Sequence, residues 1–274
     1  MVSHVRECLS PPGHEVTRRR HVQGQRGESV PVRWMGRPTA KALKPFLGMA
    51  SVLLSRTIFS MAAFTIITGA ATTRGTLAAA THQVCLQLFW FLSYFPEPLS
   101  VAAQSLIARD RASRPRTLLL TRCILGLALA LGGAIAAACA SFFFLGAGLF
   151  TSDAAIVANM RTIAPAAFAS LVLCATAMAV DGVSIGTDDY RHLPLVNLLG
   201  LGATAAWLHW CNVGGLGLQA VWLGMVVVFA VRLAVHLVHH LGTHAHSSAI
   251  AEALGWRQAK RAPQLALPAC SATA

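Results

Sequence analysis

Long apolar runs alternate with short polar segments along this chain, and the runs are too long for the helices of a soluble core. A stretch of about 18 or more apolar residues matches the hydrocarbon thickness of a bilayer. On that measure the sequence predicts membrane spans near 46–70, 77–108, 118–147, 162–187, 193–211 and 215–240. Short polar turns separate them. Thr151, Ser152 and Asp153 are residue types that cap a following helix by accepting its free N–H groups, and Gly214, Gly215 and Gly217 mark the turn before the last span. The pattern implies an all-α, polytopic membrane protein with six transmembrane helices. Residues 1–40 lack helical periodicity and are expected to be a flexible basic arm or linker, residues 41–242 the six-helix unit, and residues 243–274 a cytoplasmic or stromal tail with an amphipathic helix at 248–261.

Composition agrees. Charged residues make up 12% of the chain, against about 25% in a soluble domain. A formal net charge of +12 raises nucleic-acid binding, but the cations follow topology instead. Nine of the 22 Lys and Arg lie in residues 1–44, four (Arg109, Arg111, Arg114, Arg116) follow span two, Arg191 follows span four, and Arg257, Lys260 and Arg261 follow span six. Basic residues accumulate on the cytoplasmic side, so both termini are expected there, or in the stroma of a plastid, and no nucleic-acid partner is expected. The Arg-rich start also has the look of a transit peptide, although Glu7, Glu15 and Glu28 count against it. The seven cysteines include no CxxC pair and read as small buried hydrophobes.

Four ionisable residues fall deep within the spans: Arg56, Glu97, Asp181 and Arg232. Each costs about 2.5–3.5 kcal/mol at a helix centre even on lenient insertion scales, so each is a functional candidate. Mutual ion pairing that fixes helix packing is the structural alternative. Span two is the most informative. On a continuous helix Gln83, Gln87, Trp90, Tyr94, Glu97, Val101 and Gln104 fall within about 60° of one line, a polar and aromatic stripe that cannot face lipid tails. It lines either an aqueous cavity or a glutamine ladder between helices. Pro96 and Pro98 flank Glu97 and remove two backbone donors, so a break is predicted there, with freed carbonyls beside a carboxylate, as in helices that coordinate H⁺ or Na⁺.

The run HQVCLQLFWFLSYFPEPLSVAAQSLIAR, residues 82–109, resembles the eighth helix of multidrug and toxic compound extrusion (MATE) transporters, especially their DinF-like and plant plastid-envelope branch. His82, Gln83, Gln87, Glu97, Pro98, Leu99, Ser100, Gln104 and Ser105 match, while Thr81 stands where an alanine is usual. Lys44, Pro45 and Arg56 resemble the seventh helix, Leu149-Phe150-Thr151-Ser152 the loop after the ninth, and Asp181, Gly182, Gly186 and Asp189 the end of the tenth. The resemblance implies the C-terminal lobe of a cation-coupled antiporter that exports small organic solutes, aromatic carboxylates such as salicylate among them, by alternating access across a plastid envelope or another cellular membrane. Glu97 and Asp181, tuned by Arg56, are then the candidates for H⁺ or Na⁺ coupling. Gln83, Gln87, Trp90, Tyr94 and Gln104 are candidate cavity lining. No other cofactor and no metal site are expected. A complete member has twelve helices and six are recognisable here, so the chain is expected to be truncated, or to need the missing N-terminal lobe or a second membrane chain as partner.

Three rivals are visible. A six-helix partner or regulator that does not transport fits the small residues of span three (Gly126, Gly132, Gly133). Gly182-Val183-Ser184-Ile185-Gly186 spells the G-x-S-x-G of serine hydrolases, with His209 or His236 as base, but it continues a helix where that chemistry needs a strand-to-helix turn. His236, His239, His240, His244 and His246 have helical spacing suited to metal ligation, but no carboxylate or cysteine accompanies them. They read as an interfacial cluster, and the chain as a non-enzyme.

Overall fold

The computed structural model describes residues 40–149, 151–243 and 248–255. The expected basic arm and most of the tail lie outside them, as do His244 and His246. Two units divide the chain at Phe46, and the second, from Leu47 onward, holds the packed helices.

The described residues are helices joined by turns: α1 (Ala40–Thr72), α2 (Thr76–Ser93), α3 (Glu97–Asp110), α4 (Arg114–Ser141), α5 (Ala154–Gly186), α6 (Leu193–Val213), α7 (Leu218–Val238) and a short α8 (Ala249–Ala253). Wider turns extend α4 through Phe142–Gly146 and α7 through His239–Thr243. Four of these helical stretches are long and apolar enough to cross a membrane by themselves: Leu47–Thr72, Arg114–Leu149, Ala154–Gly186 and Leu218–Gly242. The other two predicted spans fail that test for separate reasons. The α2–α3 crossing is broken in the middle, and α6 carries Asn197, Thr204, His209 and Asn212 among its apolar residues. At about 1.5 Å per residue, the 21 residues of α6 still span about 30 Å.

Local sequence accounts for the ends. Asp153 accepts the Ala155 N–H at 2.8 Å and starts α5 there, eight residues before the predicted start of span four. Gly215 takes φ 60° in the turn between α6 and α7, a conformation that glycine reaches without strain. The proline pair acts as predicted: α2 ends at Ser93, a tight turn carries Glu97 N–H to the Tyr94 carbonyl, and α3 begins at Glu97.

The most buried helix is α5, with 61% of its most apolar window inside the protein. It packs on α2, α3, α4 and α7. The main core gathers Phe89, Phe143, Met160, Ile163, Leu171, Trp222, Met225 and Phe229, all nearly inaccessible. Close contact between α3 and α5 depends on glycine. A Cβ at Gly182 would lie 2.6 Å from the Ser100 carbonyl oxygen, and one at Gly186 would lie 2.9 Å from Ile107 Cβ. Gly132 similarly faces Ala175, whereas Gly126 and Gly133 face open space.

In contrast, only 11% of the apolar window of α1 is buried. Polar ties hold it: Arg56 to Asp181, Ser60 to Asn197, Thr68 to His82, and Arg74 to the Leu216 carbonyl and Asn212. Large apolar side chains such as Leu47, Leu54, Ile58, Leu119, Leu127 and Val238 remain exposed, as lipid contact requires.

Candidate functional site

Asp181 is the centre of the site. Helix α5 carries it into the interior, where it has no solvent exposure. One carboxylate oxygen, Oδ2, accepts from Arg56 Nη1 at 3.0 Å and from Arg232 Nη2 at 2.8 Å. The other, Oδ1, lies 2.8 Å from His236 Nε2. Arg56 comes from α1 and Arg232 from α7, so one carboxylate links three helices. A lone charge at this depth would be costly, and two guanidiniums with an imidazole offset that cost by pairing and hydrogen bonding. Arg232 also lies over the Phe229 ring, 5.6 Å from its centroid.

Beside this cluster opens a cavity of about 200 Å³. Arg56, Asp181 and Arg232 form its charged wall, Glu97 and Ser100 come from the start of α3, and Phe64, Trp90, Tyr94 and Phe229 give it aromatic surface. Glu97 is half-buried and makes no ion pair with Arg56 or Arg232. The break after Ser93 is what brings it here, because it turns the first residue of α3 toward α5.

The predicted stripe is therefore divided. Trp90, Tyr94 and Glu97 share the cavity with Asp181 and Arg56. Gln83 and Gln87 are exposed and lie with Phe91 and Phe142 along a different, mostly apolar depression. Gln104, one helix further on, is half-buried and borders neither. Gln83, Gln87 and Trp90 all lie on the continuous helix α2, so the division falls within it, and the turn at 94–96 redirects only the residues that follow, Glu97 and Gln104.

The other motif residues do structural work around the site. His82 is fully buried, its Nε2 3.1 Å from the Thr68 hydroxyl and its ring edge-on to Trp222. Pro98 sits in the first turn of α3, where a missing N–H costs nothing. Ser100 donates to the Met178 carbonyl at 2.8 Å, and Gly182 and Gly186 admit α3 against α5.

Asp189 follows the end of α5. Asp188 adopts φ 67°, its N–H bonds to the Ile185 carbonyl, and the Asp189 N–H bonds to the Ser184 carbonyl at 2.8 Å. This left-handed cap points Asp189 at a histidine cluster, where His239 Nε2 lies 3.0 Å from Oδ2. The cluster draws on His192, His236, His239 and His240, and sequence periodicity missed His192, which comes from the turn before α6. The carboxylate that seemed lacking is supplied across space by Asp189.

Ser184 has no solvent exposure and lies inside α5, without the exposed turn a nucleophile requires. Its Oγ is 3.2 Å from His240 Nε2. Neither base expected for it is in place, since His236 is engaged by Asp181 and His209 lies exposed on α6.

No family model matches the chain. Among curated proteins it is 26% identical to "Protein DETOXIFICATION 45, chloroplastic" of Arabidopsis thaliana over 190 residues, covering 69% of this chain and 34% of that protein. It is 28% identical to "Protein DETOXIFICATION 43" of the same plant, covering 68% of this chain and 36% of that one. The chain thus spans about a third of the length of these relatives. Among solved structures, an outward-facing multidrug resistance MATE family transporter superposes with a TM-score of 0.63 at 15% identity, over 73% of this chain and 45% of that one. A MOP superfamily transporter from Pyrococcus furiosus gives 0.60 at 16%, over 73% and 43%. Over about two thirds of its length the chain is thus similar to DETOXIFICATION proteins of Arabidopsis, and over nearly three quarters of it the chain shares the fold of part of a MATE family transporter.

Proposed function

We infer that the chain forms half of an antiporter that exports organic solutes in exchange for H⁺ or Na⁺. The observation that carries this is the cavity at the α2–α3 break, where a half-buried carboxylate faces a carboxylate–diarginine cluster at membrane depth. Three donors hold Asp181 in place, so its role is to position Arg56 and Arg232 and to tie α1 to α5 and α7. Glu97 has no such partner among these groups and is the one placed to take up and release the coupling cation.

An aromatic solute fits the rest of the wall. Trp90, Tyr94 and Phe64 offer ring faces, and Arg56, 26% exposed against 8% for Arg232, is the guanidinium that a solute carboxylate can reach. Salicylate-like aromatic carboxylates suit that surface. Plastid-targeted relatives support a plastid envelope as the membrane. The exposed glutamines of α2 and the thinly covered α1 are surfaces for a second lobe, because polar side chains are not left facing lipid.

The test is flux. The chain, co-reconstituted in liposomes with the N-terminal lobe of a relative, is loaded with labelled salicylate and given a proton or sodium gradient. Gradient-driven efflux that requires both lobes is expected. Solute release that ignores both gradients overturns the antiporter, and full flux from the isolated chain overturns the requirement for a second lobe. Absence of flux under every condition, with both lobes inserted, favours the non-transporting partner.

A further inference from the structure

Beyond the solute cavity, the structure brings together a second cluster at the end of the lobe that carries Arg109, Arg111, Arg114 and Arg191. His192, from the turn before α6, meets His236 and His240 of α7 and its extension, and one ring nitrogen from each lies within 4.8 Å of the other two. His192 Nε2 and His236 Nδ1 are 3.0 Å apart. Tetrahedral ligation by imidazoles at about 2.0–2.1 Å sets neighbouring nitrogens roughly 3.3 Å apart, so this pair is already near ligand spacing.

The hydrogen bonds around His236 and His192 are those of metal ligands, whereas His240 would ligate by exchanging one of its two serine contacts for the ion. A ligating histidine usually donates its second N–H to a carboxylate or similar acceptor, which fixes its tautomer. His236 Nε2 is bonded to Asp181 at 2.8 Å, which leaves Nδ1 as a lone pair facing His192. His240 has the Ser184 and Ser248 hydroxyls at 3.2 and 3.1 Å on its two nitrogens. His192 Nδ1 points toward Asp189 Oδ1 at 3.7 Å.

With His192 neutral, hydrogen bonding alone leaves this arrangement incomplete, and without an ion only an imidazolium at His192 would supply both donors. If neutral His192 donates through Nε2 to His236, its Nδ1 becomes a bare lone pair opposite a carboxylate. That nitrogen is buried without a hydrogen-bond partner, in a side chain only 8% exposed. A buried acceptor facing an acceptor is left without a donor, which is unfavourable. A cation between the rings removes the conflict: it takes the lone pairs of His192 Nε2 and His236 Nδ1, and the His192 proton moves to Nδ1, where it donates to Asp189.

We propose that His192, His236 and His240 form a binding site for a divalent transition-metal ion of the Zn²⁺ class, oriented by Asp181 and Asp189. Three imidazoles leave one position for water, and nitrogen donors select zinc-like ions over Ca²⁺ or Mg²⁺. A cavity of about 210 Å³ that reaches Asp189 and His240 provides a way in. Its two cationic walls are compensated, Arg111 by Asp188 at 3.1 Å and Arg114 by Glu252 at 2.7 Å. The bound ion would tie the turn after α5 to the end of α7. The site is independent of which solute or ion the neighbouring cavity handles.

The test uses the full chain, free of any purification tag, in detergent or nanodiscs, titrated with Zn²⁺ against a competing chelator. One equivalent is expected, with affinity lowered about 10–100-fold by Asp189→Asn and by at least as much in His192→Ala, and unchanged in the double variant His244→Ala/His246→Ala. Because His236→Ala also removes a donor from Asp181, the ligand set is read on the unaltered chain. X-ray absorption of the zinc-loaded protein is expected to show three imidazoles at about 2.0 Å. Absence of stoichiometric binding, binding indifferent to His192→Ala, loss of the equivalent in the His244/His246 variant, or an oxygen-dominated shell each overturns the site.

Discussion

Arg56 and Arg232 converge on a single oxygen of Asp181, one from α1 and the other from α7. The two cations are not equivalent. Arg232 is 8% exposed and packed over Phe229, whereas Arg56 is 26% exposed and its helix is mostly uncovered. Removing the carboxylate strands the buried Arg232 together with the partly exposed Arg56, and breaking a buried pair costs about 3–5 kcal/mol. Asp181→Asn is therefore expected to cause the largest loss of thermal stability in detergent. Arg232→Gln follows, and Arg56→Gln loses about 1 kcal/mol, as for a partly exposed pair. An Asp181→Asn protein that melts with the unaltered chain would show that the cluster is no keystone.

The contact between α3 and α5 makes a sharper packing prediction. At Gly182 a methyl group would meet the Ser100 backbone oxygen at 2.6 Å, an atom that cannot rotate away. Gly182→Ala is expected to destabilise by about 1–3 kcal/mol through overpacking. Gly126→Ala and Gly133→Ala in α4 meet nothing within 4 Å. They should be neutral or gain up to about 1 kcal/mol from helix propensity. Thermal unfolding of the three variants side by side decides this, and equal behaviour would contradict the close approach.

Much of this was legible in the sequence, and the failures have a common cause. Apolar run length located the helices, four of which are long and apolar enough to cross a membrane, and the prolines around Glu97 located the break. The deep acids and bases suggested pairing, which occurs at Asp181. What periodicity could not give was which neighbours cover each part of one face: Gln83 and Gln87 share a face of α2 with Trp90, yet only Trp90 reaches the cavity with Glu97. Nor could it find His192, whose partners lie 44 residues on, at His236, and beyond. A three-residue or four-residue repeat sees one helix, whereas the cluster is assembled from a turn and a different helix.

The divided stripe predicts a pattern of accessibility. In a background without native cysteines, cysteine at position 94 should react readily with a water-soluble maleimide in the isolated chain, since Tyr94 is 67% exposed. Cysteine at position 87 should react as well, but lose reactivity when the second lobe is supplied, because it lies on the proposed interlobe surface. Ser100, 3% exposed and bonded to Met178, should stay unreactive when replaced by cysteine. Position 94 shielded in both preparations would remove the proposed solute path.

The contrast between the two acids leads to a functional prediction. Glu97→Gln keeps the size and hydrogen-bonding ability of the side chain and disturbs no ion pair with Arg56 or Arg232. Insertion and melting temperature should be retained within about 0.5 kcal/mol, as for substitutions away from packed or paired sites. Gradient-driven efflux by the two-lobe assembly should be abolished, since an amide cannot take up and release a proton. Normal efflux from Glu97→Gln would exclude that carboxylate from coupling and direct attention back to Asp181.

The cap of α5 can be tested by itself. Asp188 holds φ 67°, a conformation that costs residues other than glycine about 1–2 kcal/mol and that Asp tolerates better than most. Its ion pair with Arg111 has side chains 54% and 62% exposed, and such surface pairs contribute little. Relief of strain should therefore outweigh loss of the pair, and Asp188→Gly is expected to hold or raise the melting temperature. Asp188→Val, branched at Cβ, should lower it and displace Asp189 from His239. Stabilisation by Asp188→Gly with an unchanged environment at His239, read by histidine NMR shifts, would show that the backbone turn itself aims Asp189. Destabilisation by Asp188→Gly would assign that work to the side-chain pair.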